Sequence, residues 1–106
     1  MKKDMERRMI LYSYHPKPVD TSKIKLPEEI QNLQEMLAEN IHEIWSSQRV
    51  QQGWRYGPKR DDVKKEHPNL VPYNNLTEEE KDYDRYTAME TLKTILSMGY
   101  TIERTK

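Results

Sequence analysis

Pro27-Glu-Glu-Ile-Gln-Asn-Leu-Gln-Glu-Met-Leu-Ala-Glu-Asn-Ile-His-Glu-Ile-Trp45 is the stretch whose reading decides the fold. Ile30, Leu33, Leu37, Ile41 and Ile44 step by three and four, which draws one apolar stripe along a helix. Trp45 widens that stripe. Proline at a first helical position loses nothing, because its missing N–H would be unpaired there. Glu28 and Glu29 follow in the first turn, where the macrodipole favours negative charge. Gly53 is the expected stop. The resulting helix is about 25 residues, roughly 38 Å long at 1.5 Å per residue, and would be the spine of the domain.

Working outward, a second helix is announced by Thr77 and Glu80, spaced as a capping box. Glu78 and Glu79 add first-turn acids, and Tyr86, Met89, Leu92 and Leu96 form the stripe, flanked by Ala88 and Ile95. Gly99 is the expected end. Between the helices lie residues 54–76, a long connection containing Gly57, Pro58, Pro68 and Pro72. A structureless loop of that length is unusual in a compact domain, so side chains must anchor it. Trp54, Tyr56, Leu70, Val71 and Tyr73 are the available anchors, and residues 61–66 suggest one or two helical turns. Short strands are expected at the two ends, at Ile10–Tyr14 and Tyr100–Ile102. The fold class is therefore mainly α: two long helices, a long ordered linker and short terminal strands. Residues 1–13 read as an N-terminal arm, 14–102 as the domain and 103–106 as a tail.

Composition limits the chemistry. The chain has 106 residues, enough for one domain and one modest core. Apolar and charged residues each make up 34%, so either the core is thin or a partner covers part of the surface. Two Trp and seven Tyr supply the aromatic mass without any Phe, and every such ring carries a polar handle that needs a partner when buried. With 18 basic and 18 acidic residues the formal charge is zero, which offers no field for nucleic acid or an anionic membrane. The absence of cysteine excludes disulfides and thiol chemistry. No apolar run approaches the roughly 20 residues of a membrane span. Residues 1–8 are charged and unlike a secretory signal, so a soluble, cytoplasmic protein is expected.

Several residues invite a functional reading. Trp54 and Tyr56 flank Arg55, with Arg49 and Arg60 close by; such rings and guanidinium groups suit a base and its phosphates. The same aromatics could equally pin the linker to the helices. Gly53 and Gly57 do not make a phosphate loop, since no Gly-Lys-Ser/Thr follows. Asp61, Asp62, Glu66 and His67 match no metal-binding spacing; one aspartate is read as a cap, with His67 before Pro68 in a turn. His42, beside Asn40, is read as a hydrogen-bonding residue that fastens the linker. No nucleophile and oriented base are apparent, so the chain is read as not an enzyme, with no cofactor and no resident metal. Glu78–Glu80 serve the helix start, and Asp82, Asp84 and Arg85 read as a solvated or ion-paired face.

One resemblance draws these observations together. Leu37-Ala-Glu-Asn-Ile-His-Glu-Ile-Trp45, Arg49, Gly53-Trp-Arg-Tyr-Gly-Pro58, Arg60-Asp-Asp62, His67-Pro68, Leu70-Val-Pro-Tyr73, Glu90-Thr-Leu-Lys93 and Gly99-Tyr100 look like the ryanodine-receptor repeat, or RyR, domain. Upstream, Pro18-Val-Asp-Thr-Ser22 and Leu26-Pro27 fit the same pattern, and the likeness runs over about residues 14–102. It implies a mainly helical fold and a binding module rather than a channel, since a pore needs membrane-spanning elements. It also implies that two repeats pack with pseudo-twofold symmetry and can hold an adenine nucleotide between them. The stacking ring of the Gly-Trp-x-Tyr-Gly segment is Trp54 in this chain, with Tyr56 shaping the wall and Arg49, Arg55 or Arg60 meeting phosphate. Asn40, His42, Trp45, Asp61, Asp62, His67, Pro68 and Tyr73 belong to the motif's framework. A lone repeat would need a homodimer to complete a two-sided nucleotide pocket. The alternative is a structural module that self-associates or binds a protein without any small ligand.

Overall fold

A computed structural model describes residues 13–105. The spine is a short helix α1 (Glu28–Gln31) followed by a long helix α2 (Gln34–Gln51). The single 25-residue helix expected from the stripe is thus divided at Asn32 and Leu33. Leu33 relaxes to φ −86°, ψ 0°, and its N–H bonds back three residues to the Ile30 carbonyl at 3.0 Å instead of four. Pro27 stands just outside the first turn, and its carbonyl receives the N–H groups of Ile30 and Gln31.

The second long helix, α3 (Glu78–Ser97), starts at Thr77, whose hydroxyl oxygen accepts the Glu80 N–H at 3.2 Å. Only this half of the capping box is formed. The Glu80 carboxylate instead accepts a hydrogen bond from the Asn69 side-chain amide at 3.2 Å, spending the N3 acid on the linker. The two long helices pack along each other.

The linker is more regular than its sequence suggests. Gly53 takes a left-handed φ of +92° and ends α2, so that the Trp54 N–H turns back to the Arg49 carbonyl at 2.9 Å. Two short strands follow, β1 (Arg55–Tyr56) and β2 (Glu66–His67), paired in parallel with Arg55 opposite Glu66 and Tyr56 opposite His67. The helical turns expected at 61–66 are absent. Asp61 and Glu66 exchange both backbone hydrogen bonds at 2.9 Å, and the Asp61 carboxylate accepts the N–H groups of Val63 and Lys64 at 3.0 Å. The aspartate caps a tight turn rather than a helix, because its own backbone is already committed to the bridge. A 3-10 turn, η1 (Tyr73–Asn75), leads to α3.

Residues 100–102 form no strand; Ile102 is half-buried, with Arg104 nearby reaching Glu29 at 3.2 Å. The other expected terminal strand begins at Ile10 and lies largely outside the described residues. The strands among the described residues sit in the linker, where each takes up the other's backbone groups.

The core is small. Ala38, Tyr73 and Leu76 cluster together with Val71 against them, while Leu26 and Ala88 are buried separately. On α2 the fully buried side chains are Ala38 and His42; of the predicted stripe Ile30, Leu37 and Ile41 are half-buried, while Ile44 is 52% exposed and Leu33, just before the helix, 40%. The helix is turned so that its polar-aromatic seam faces the linker. On α3 Tyr86 is also outside, at 67% exposure. The segment before α1 is latched to α3 by the buried Thr21, whose hydroxyl donates to Glu90 at 2.9 Å.

Candidate functional site

His42 is 4% exposed and sits where α2 meets the linker. Its Nε2 lies 2.7 Å from the Val71 carbonyl oxygen. A carbonyl only accepts, so Nε2 must carry the proton and donate it. Ser46 Oγ lies 3.4 Å from the same nitrogen. Because that nitrogen is already protonated, it cannot draw a proton from Ser46, and the two do not form a nucleophile–base pair.

From His42 a chain of rings runs outward along α2 and into the linker. Trp45 stacks on His42 with centroids 5.7 Å apart, and His67 meets Trp45 edge-on at 4.9 Å. His67 also approaches Trp54 at 6.3 Å. The His67 imidazole is held below its ordinary range by burial, reinforced by the charges of Arg60 and Arg49. Its Nδ1 accepts the Asn69 backbone N–H at 3.0 Å, which places the ring proton on Nε2. His67 is consequently a neutral ring in the middle of the series, followed by the half-buried Pro68.

Trp54 forms the outer corner. The Arg49 guanidinium lies 4.9 Å from its centroid and that of Arg60 lies 6.0 Å away, and Arg49 also reaches Trp45 at 5.7 Å. Arg60 is bound to Asp62, Nε to Oδ1 at 2.8 Å, and this contact holds the Asp62 carboxyl below its usual range. Arg49 has no carboxylate partner among the described residues. The expected binding set is thus divided. Arg49, Trp54 and Arg60 come together. Arg55 turns to Glu66 at 3.2 Å, and Tyr56, 58% exposed, lines a separate shallow groove of about 340 Å³ with Val50, Leu70 and Pro72. Asn40 is exposed and has no side-chain hydrogen bond among the described residues.

A charged joint lies on the other side of the core. The Tyr73 hydroxyl donates to Glu35 at 2.7 Å, and Arg85 contacts Glu35, Glu78 at 2.8 Å and Asp82 at 2.9 Å. Burial, then the bond to Glu35, pushes the Tyr73 phenol up to about 12. Glu35 is held below the usual carboxylate range, first by Tyr73 and then by Arg85. The three carboxylates hold Arg85 firmly protonated. Asp82 and Glu78 stand at helical spacing from Arg85, so that part of the joint is readable in sequence. Glu35, 50 residues away, is not. Among the described residues no three His, Asp or Glu side chains converge as a metal site would require.

Of the motif's framework residues, His42, Trp45 and His67 lie in one ring series, while Tyr73 turns its hydroxyl to the charged joint and Asn40 stands exposed. The RyR domain family model matches residues 14–104, and the chain belongs to that family. Among the described residues no helix is long and apolar enough to cross a membrane.

Proposed function

We propose that this RyR domain is a non-catalytic binding module whose Trp54 corner takes an adenine nucleotide or a related nucleotide. The observation that carries the reading is Arg49, a cation 4.9 Å from the Trp54 ring with no carboxylate of its own among the described residues. In this reading a base takes the place of a guanidinium against the indole, and Arg49 and Arg60 turn to phosphate. Arg55 contributes less, being engaged by Glu66. The corner is open, so a second copy of the chain would supply the facing wall. The Nε2 proton of His42 is committed to the Val71 carbonyl and fastens the linker that carries Trp54.

Calorimetry with ATP, ADP, AMP and cyclic nucleotides tests this proposal. Binding is expected, and Trp54→Ala should weaken it by about 1–3 kcal/mol, the usual worth of one stacked base. No heat and no thermal shift at millimolar nucleotide would overturn it. A second reading, self-association or protein binding without a ligand, is favoured by the exposed apolar side chains of Met36, Ile44 and Val50 on α2. A chain that stays monomeric in light scattering at high concentration would count against self-association.

A further inference from the structure

A second hollow, of about 260 Å³, lies between α2, the end of the linker and α3, sharing Trp45 and His67 with the ring series but not lined by Arg49 or Trp54. Trp45 and Tyr83 give it aromatic walls, and Glu80 and Asp84 place carboxylates at it. His42 and His67 line it as well; the His42 Nε2 proton is committed to the Val71 carbonyl, and His67 Nδ1 accepts the Asn69 backbone N–H. No lysine or arginine is among its lining residues. Glu80 has one neutral partner there, the Asn69 amide. Asp84 has no hydrogen bond or ion pair among the described residues, although it is half-buried and its neighbour in sequence, Arg85, holds three other acids.

This arrangement is unfavourable unless something completes it. A carboxylate withdrawn from water without a hydrogen bond or ion pair lowers stability, and burial raises the Asp84 carboxyl above its ordinary range, with Glu80 adding to the rise and His42 opposing it only in part. Aromatic faces next to carboxylates attract cations, because the ring quadrupole and the formal charge act in the same sense. The hollow is smaller than a typical drug-sized site of roughly 300–1,000 Å³, so the fitting guest is a head group rather than a whole cofactor. We propose that this hollow takes an organic cation, an alkylguanidinium or alkylammonium head group, held by Asp84 and Glu80 against Trp45 and Tyr83. Such a cation is found both in free amines and in the Arg or Lys side chains of peptides.

Amide-resolved NMR titration of the full chain tests this. The probes are ethylguanidinium and, as its uncharged counterpart, ethylurea, followed by a blocked Gly-Arg-Gly peptide and its citrulline analogue. Saturable shifts are expected around Trp45, Tyr83 and Asp84 with the two cations and not with the two neutral molecules. Asp84→Asn, nearly isosteric, should weaken the cation by about tenfold, the loss expected for one desolvated charge partner. Tyr83→Ala should weaken it too; that side chain is 65% exposed, so folding does not depend on it. Trp54→Ala meets the hollow only through His67 and should leave the cation's affinity unchanged while weakening the nucleotide, which separates the two readings. Tighter binding of the peptide assigns the hollow to a partner protein's side chain, and equal or tighter binding of ethylguanidinium assigns it to a free amine-class ligand. Equal binding of ethylurea, an unaltered Asp84→Asn titration, or no saturable shift in this hollow would overturn the proposal.

Discussion

Tyr73 does two jobs with one side chain. Its ring fills the small core beside Ala38 and Leu76, and its hydroxyl reaches out to Glu35. Tyr73→Phe keeps the ring and deletes the bond. The expected loss is about 1 kcal/mol, typical of one hydrogen bond whose acceptor keeps other partners. Urea unfolding with an unchanged slope would measure it. The phenol's rise to about 12 has a consequence of the same sign. Its contribution is complete below the ordinary phenol range near 10 and is lost as pH climbs through about 12. Asp84 is the contrasting residue, a carboxylate placed without regard to its own stability.

At the scale of elements, the linker depends on how closely β1 and β2 approach. A Cβ on Gly57 would lie 2.5 Å from the Glu66 Cβ and 2.9 Å from its Oε1. Gly57→Ala must push the strands apart, and overpacking of this kind costs about 1–3 kcal/mol. The effect should extend beyond stability. Trp54 precedes one strand and His67 belongs to the other, so the ring series should lose its geometry as well. Chemical-shift changes at the Trp54 indole in Gly57→Ala, without ligand, are the expected signature. Thr77 and Glu80 show the same economy: a helix start gives up half its box to hold Asn69.

For the whole molecule, the joint around Arg85 fixes α2 to α3. Glu35 and Glu78 both have carboxyls held below the usual range, Glu35 first by Tyr73 and Glu78 first by Arg85. A depressed acid stabilises the fold above its unfolded pKa, and that stability is lost as pH falls through the lower folded value. Acidification below the ordinary carboxylate range should therefore destabilise the domain. In Arg85→Met much of that pH slope should vanish, as should part of the salt sensitivity, since exposed charges are screened. Thermal unfolding across acid pH at low and high salt would measure both. Asp84 works in the opposite direction, its penalty appearing as pH rises, so Asp84→Asn should be neutral or stabilising near neutrality.

The sequence by itself determined that there are two long helical stretches, the stop of the first at Gly53 and the start of the second at Thr77, but not the break at Asn32 and Leu33. Proline, first-turn acids, capping residues and terminal glycines act locally, within one turn, and need no tertiary context. It also determined that residues 54–76 must be anchored, and it proposed Trp54, Tyr56, Arg49, Arg55 and Arg60 as one binding set. The tertiary structure alone decided which face of α2 turns inward. The apolar stripe is clear in sequence, yet its Leu37 and Ile41 are only half-buried while Ala38 and His42 beside them are fully buried, His42 donating to the linker's Val71 carbonyl. Tertiary structure likewise divided Arg55 from Arg49 and set a parallel strand pair inside the linker. It joined Glu35 to Arg85 across 50 residues and set Asp84 at a hollow lined by no lysine or arginine. Pairings over such separations leave no periodic trace in a chain; they exist only once folding has brought distant segments side by side.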